Sequence, residues 1–127
     1  MPLYQGTFFL LSGSACGALA VIMGAIGAHV IAIPDKGISS WDLAVFYQLS
    51  HSGVLLLVGI LYKQGYSSVW ITIAGYCFFG GMLLFCGGIY IGQSPLFSEI
   101  AFVTPLGGSL LILGWVSLVV GTTAKLF

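Results

Sequence analysis

The sequence predicts an all-α fold, an integral membrane bundle of four transmembrane helices, on three observations. Of its 127 residues 59% are apolar and 5% are charged, with a mean hydropathy of +1.14. Four apolar runs, each near the ~20 residues needed to cross a ~30 Å hydrocarbon core, are separated by the charged residues. No run alternates with period two, so lipid-exposed backbone can be satisfied only inside helices, not in a barrel. Three Lys and three acidic residues cannot dress a soluble surface, and residues 1–127 read as a single transmembrane domain with spans at about 8–30, 41–62, 68–91 and 104–122.

The first span follows an N-terminus without a basic stretch or a small-x-small cleavage pattern, and is expected to be retained. Gly13, Gly17, Ala20, Gly24 and Gly27 recur at steps of four and three along it, which places small residues on one seam where backbones can approach closely. Pro34-Asp35-Lys36-Gly37 is a turn sequence. Ser39 and Asp42 then have the spacing of a capping box for the second span. Lys63-Gln64-Gly65 closes that span, which shows no small-residue seam. In the third, Cys77, Gly81 and Gly88 form a second seam, followed by the turn residues Gly92-Gln93-Ser94-Pro95. Thr104-Pro105 fits an N-cap and first helical position for the fourth, where Gly107, Gly114, Ser117 and Gly121 supply a third seam and Gly108 is a further packing residue. The glycine faces are read as helix packing, the alternative being grooves for a lipid, quinone or solute.

Short connections make successive helices antiparallel neighbours. Lys63 and Lys125 then fall on the side of the termini, while Lys36 lies opposite with Asp35, Asp42 and Glu99, so the positive-inside rule puts both termini in the cytoplasm, or in the matrix of a mitochondrion. Trp41, Tyr62, Tyr66, Trp70 and Tyr90 fit interfacial aromatic belts. Zero net charge and the absence of Arg exclude a nucleic-acid partner.

Polar residues at membrane depth need partners and mark the bundle interior. Tyr47, Gln48 and His51 are expected on one face of the second helix, with Ser52 adjoining. His29 ends the first helix at a comparable depth. Each histidine suits a neutral imidazole locking helix to helix, with a proton relay as the alternative. Cys16, Cys77 and Cys86 have no metal-type spacing and read as small packing residues. No metal and no cofactor is expected. The hydrolase and zinc-protease motifs GxSxG and HExxH are absent, and no carboxylate lies deep within a span to act as acid or base, Asp42 standing at the very start of the second.

The blocks GAIGAH (Gly24 to His29), FYQLSH (Phe46 to His51), FCGGIY (Phe85 to Tyr90) and TPLGG with Gly114-Trp115 resemble the YgdD-like family of small bacterial inner-membrane proteins, which has mitochondrial relatives. The chain departs in carrying Cys86 where such proteins usually have Ser, and Ser52-Gly53 where Ala-Leu is common. The resemblance implies a four-helix membrane protein and brings no substrate or reaction.

All four blocks fall toward the same end of the bundle, so His29, Tyr47, Gln48, His51, Tyr90 and Thr104 are the candidate polar site, to be weighed against a polar packing knot. Amides opening the fourth helix would favour an anionic or oxygen-bearing group there. The leading expectation is a non-catalytic accessory or assembly subunit that packs against a larger inner-membrane complex. The alternative is a small-solute or proton transporter acting as a homo-oligomer. A third reading is an enzyme handling quinone or lipid.

Overall fold

A computed structural model describes residues 2–29 and 39–124. Four helices, α1 (Pro2–His29), α2 (Ser40–Lys63), α3 (Val69–Gly92) and α4 (Val103–Thr123), follow in chain order, with a 3₁₀ segment, Pro95–Phe102, before α4. All four are long and apolar enough to cross a membrane. The shortest has 21 residues, about 32 Å at 1.5 Å per residue. No strand occurs among the described residues. The Pro34-to-Gly37 turn, with Asp35 and Lys36, lies outside them, as does Lys125.

The boundaries follow local chemistry. Ser39 caps α2, its Oγ accepting from Asp42 N at 3.1 Å and donating to Asp42 Oδ2 at 2.7 Å, and so satisfies one of the amides that a helix start leaves unpaired. The helix ends in a Schellman motif: Gly65 N donates to Tyr62 O, Tyr66 N donates to Leu61 O, and Gly65 takes φ +89°, a conformation that glycine adopts without a Cβ penalty. Ser68 Oγ caps α3 by accepting from Ile71 N at 3.2 Å. Thr104 is not the cap of α4. That helix opens at Val103, directly after the 3₁₀ segment, and Phe102 at the cap position makes no side-chain bond. Pro105 therefore sits in the first turn, where a missing N–H costs no intrahelical bond.

Each helix runs antiparallel to the next. Gly27 lies beside Trp41 and Gly6 beside Lys63, Tyr90 bonds Gln48 while Tyr62 bonds Thr72, and Gly88 meets Thr104 while Gly121 meets Ile71. Both ends of the described chain therefore lie at one end of the bundle, the terminal end. Asp42, Gln93 and the 3₁₀ segment lie at the other, the loop end. The helices form two tight hairpins, α1 with α2 and α3 with α4, joined where α2 packs on α3. Among the described residues α1 and α4 do not meet.

Small residues set the two hairpin interfaces. A Cβ on Gly13 would stand 3.0 Å from Leu56 N, and one on Gly27 2.5 Å from the Trp41 indole. Gly17 approaches the Ser52 hydroxyl and Gly24 touches Val45. The second helix, for which no small-residue seam is expected, contributes one close glycine: a Cβ on Gly59 would lie 3.0 Å from Gly6 O and 2.8 Å from Leu10. Between α3 and α4, a Cβ on Gly107 would run into the backbone at Phe85, one on Gly81 would approach Gly107 O to 3.0 Å, and Gly88 and Gly114 leave room for Thr104 and Phe78. Gly108 makes only ordinary contact with the Phe85 ring, 3.6 Å away.

Larger side chains fill the junction between the hairpins. Phe9, Leu55, Val58 and Phe78 are fully buried. Phe8 and Phe9 of α1 pack against Tyr76 of α3, and Phe8 also against Phe79, with ring centroids 5.1–5.9 Å apart, near the terminal end. Outward-facing Leu11, Ile22, Leu106 and Val116 are exposed, as expected of a surface whose solvent is lipid.

Candidate functional site

Gln48 sits in the loop-end half of α2 and is 7% exposed. Its Nε2 donates to Cys16 O of α1 at 2.9 Å, and its Oε1 accepts from Tyr90 OH of α3 at 2.7 Å. A carbonyl can only accept, so the amide nitrogen must face Cys16 and the oxygen Tyr90. One side chain thereby ties three helices. Toward the loop end, Trp41 Nε1 donates to Met23 O at 2.8 Å and its ring lies 4.7 Å from that of Tyr90. Cys86 Sγ donates to Ala44 O at 3.3 Å. Above this floor α1 and α3 stand apart, leaving a cleft of about 200 Å³ whose lining includes Cys16, Met23, Gln48, Met82, Cys86 and Tyr90. Leu19 and Leu83, both about half exposed, flank its lipid-facing mouth.

His51 turns the other way. Its Nδ1 lies 2.8 Å from Tyr47 O, and Trp115 Nε1 of α4 donates to its Nε2 at 3.1 Å. An indole N–H is a donor only, so Nε2 must accept and Nδ1 must carry the proton that Tyr47 O receives. This is the neutral Nδ1–H tautomer. The Tyr47 ring stacks on the imidazole at 5.6 Å with an interplanar angle of 11°, and Trp115 meets it edge-on at 6.0 Å. Tyr47, Ser50, His51, Phe85, Gly108 and Trp115 contribute to a second cleft, of about 430 Å³, between α2, α3 and α4.

The expected single polar face of α2 is therefore divided. Adjacent helical positions lie about 100° apart, enough to send Gln48 to α1 while Tyr47 and His51 point to α3 and α4. Ser52 goes with Gln48, bonding Leu49 O at 2.6 Å and touching Gly17. Tyr90 joins Gln48. His29 is exposed at the last residue of α1 and lines neither cleft. Thr104 borders a third depression with Ser40 and Gln93, and its helix continues from the 3₁₀ segment instead of starting at a free end.

Sequence reasoning missed Trp115, the donor to His51, and the two cysteines beside Gln48. An indole N–H at membrane depth needs an acceptor, so Trp115 carried a signal, though its spacing from His51 did not reveal the pairing. Among the described residues every buried side-chain nitrogen or oxygen has a hydrogen-bond partner, and no three His, Cys, Asp or Glu side chains gather in a metal-binding group. The geometry is that of polar clamps, each flanked by an apolar cleft.

Residues 23–108 match the family model described as "Protein of unknown function (DUF423)", a stretch that runs from just before Gly24 to the end of the TPLGG block. The UPF0382 membrane protein YwdK of Bacillus subtilis is 37% identical over 122 residues, covering 93% of this chain and 98% of its own length. A UPF0382 membrane protein of Staphylococcus saprophyticus is 36% identical over 116 residues, covering 90% and 95%, and one of Staphylococcus aureus is 34% identical over 116 residues, covering 90% and 93%. No solved structure matches the chain.

Proposed function

We propose for this chain, which belongs to the DUF423 family of membrane proteins, a non-catalytic role as an accessory or assembly subunit packed against a larger inner-membrane complex. The observation that carries this reading is that, among the described residues, every buried side-chain nitrogen or oxygen is engaged in a hydrogen bond. Gln48, Tyr90, His51 and Trp115 are spent on joining helices, and no carboxylate stands among them to donate or take a proton. The exposed apolar surfaces of α1 and α4 are then the faces offered to lipid and to a partner. The four sequence blocks support placing the chain among YgdD-like members. Lys63, exposed at the terminal end, supports an orientation with both termini in the cytoplasm.

Extraction of native membranes in a mild detergent, followed by affinity purification, should bring down the protein with a stable larger partner. Recovery of free protein or a homo-oligomer alone would sink the proposal. The second cleft gives the transporter reading its one specific support, since about 430 Å³ beside His51 could admit a small solute. That reading requires flux in proteoliposomes that falls when His51→Ala is introduced. The accessory role expects no flux from either form.

A further inference from the structure

We propose that the cleft between α1 and α3 is a binding site for a soft monovalent metal ion, Cu(I), held by the sulfurs of Cys16 and Cys86 with Met82 and Met23 as thioether donors. The chain has three Cys and three Met. Five of the six lie among the described residues, and four of these five, all but Cys77, line this one cleft. The register of both helices accounts for the convergence. Cys16 and Met23 are seven residues apart on α1, and Met82 and Cys86 four apart on α3, spacings that keep each pair on one face. Near the terminal end, packing of Phe8 and Phe9 against Tyr76 brings α1 and α3 together; farther along a cleft opens between them, and these four residues line it.

The donor set selects the ion. Thiolate and thioether ligands favour Cu(I), whereas zinc sites take four ligands from Cys, His and carboxylates, and no group of three such residues is present among the described residues. Charge points the same way. When one of the two cysteines binds as a thiolate and the other stays a protonated thiol, R–SH and Cu(I) give R–S–Cu(I) and one released proton, with no change of oxidation state. The product is neutral and the thioethers add no charge, so the complex suits a low-dielectric site where a net charge is costly. A divalent ion on the same ligands would remain positive. Size also discriminates: about 200 Å³ is below the roughly 300–1,000 Å³ of sites for drug-sized molecules but leaves space for an ion and for the sulfurs to close on it. The ligands come from two helices, which is why no sequence motif marks the site. The proposal stands independently of the accessory role.

The test is an anaerobic titration of the purified full-length protein in detergent micelles with Cu(I), buffered by a competing chelator and followed by bound copper and by the near-ultraviolet thiolate-to-copper absorption. The protein and its Cys77→Ser variant should each take up about one Cu(I). Cys16→Ser and Cys86→Ser should weaken binding by at least the roughly 10-fold that even an outer-shell change costs a metal site, and Met82→Leu should also weaken it. Melting of each metal-free variant checks that it is folded. Folded Cys16→Ser and Cys86→Ser variants that bind as tightly as the parent would overturn the assignment, as would a parent that cannot compete with the chelator, or a loss in Cys77→Ser as large as in the other two. In those cases the sulfurs serve only as pliable packing atoms.

Discussion

Replacing Gln48 by Leu removes a side chain that bonds both neighbouring helices. Two interhelical hydrogen bonds are lost, at 2.9 Å to Cys16 O and 2.7 Å from Tyr90 OH. Such bonds within membranes average about 0.6 kcal/mol and reach about 1.7, so the pair contributes about 1–3 kcal/mol. Tyr90→Phe breaks only the second bond and should cost about 0.6–1.7 kcal/mol. The double variant then decides the matter. Once Gln48 is gone the Tyr90 hydroxyl has lost its acceptor, so removing it costs little more, and the two single losses should exceed the double loss by about 0.6–1.7 kcal/mol. Reversible unfolding in mixed micelles, read by tryptophan fluorescence for all four proteins, measures the cycle. Losses that add to within about 0.3 kcal/mol would show that Tyr90 and Gln48 are not coupled, and the three-helix clamp would have to be abandoned.

Gly107→Ala places a methyl group against the α3 backbone at Phe85 and should destabilise the α3–α4 hairpin by about 1–3 kcal/mol, whereas Gly87→Ala, whose Cβ would meet nothing within 4 Å, should leave the same melting curve nearly unmoved. Nitrogen-15 spectra of labelled His51 should report a protonated Nδ1 and a bare, hydrogen-bonded Nε2. Trp115→Phe should remove the hydrogen-bond shift at Nε2, and an Nε2–H form in the parent would contradict the proposed donor.

The hydropathy runs, the glycine spacings and the turn residues were enough to determine four membrane-length helices, the capping box at Ser39 and the tight faces of α1, α3 and α4. These features are local: they depend on the bilayer's thickness and on which residues share a helix face, both legible along a single chain. The contribution of Gly59 was hidden because its partners, Leu10 and Gly6, lie on another helix. The 3₁₀ segment also escaped notice, since its Leu96 and Phe97 carry no helix-stop signal beyond Pro95.

The polar residues show the division most clearly. The need of Gln48, His51 and Tyr90 for partners inside the membrane followed from desolvation alone, and so did their bias toward the interior. Which partners they found was decided by tertiary packing: a rotation of about 100° between neighbouring positions sends Gln48 to Cys16 and Tyr90, and His51 to Trp115, producing two clamps where one polar face was expected. The gathering of Cys16, Met23, Met82 and Cys86 is likewise a product of packing. Sequence determined that these side chains would lie within the bilayer, but only the packing of α1 and α3 could bring residues separated by dozens of positions to the walls of one cleft.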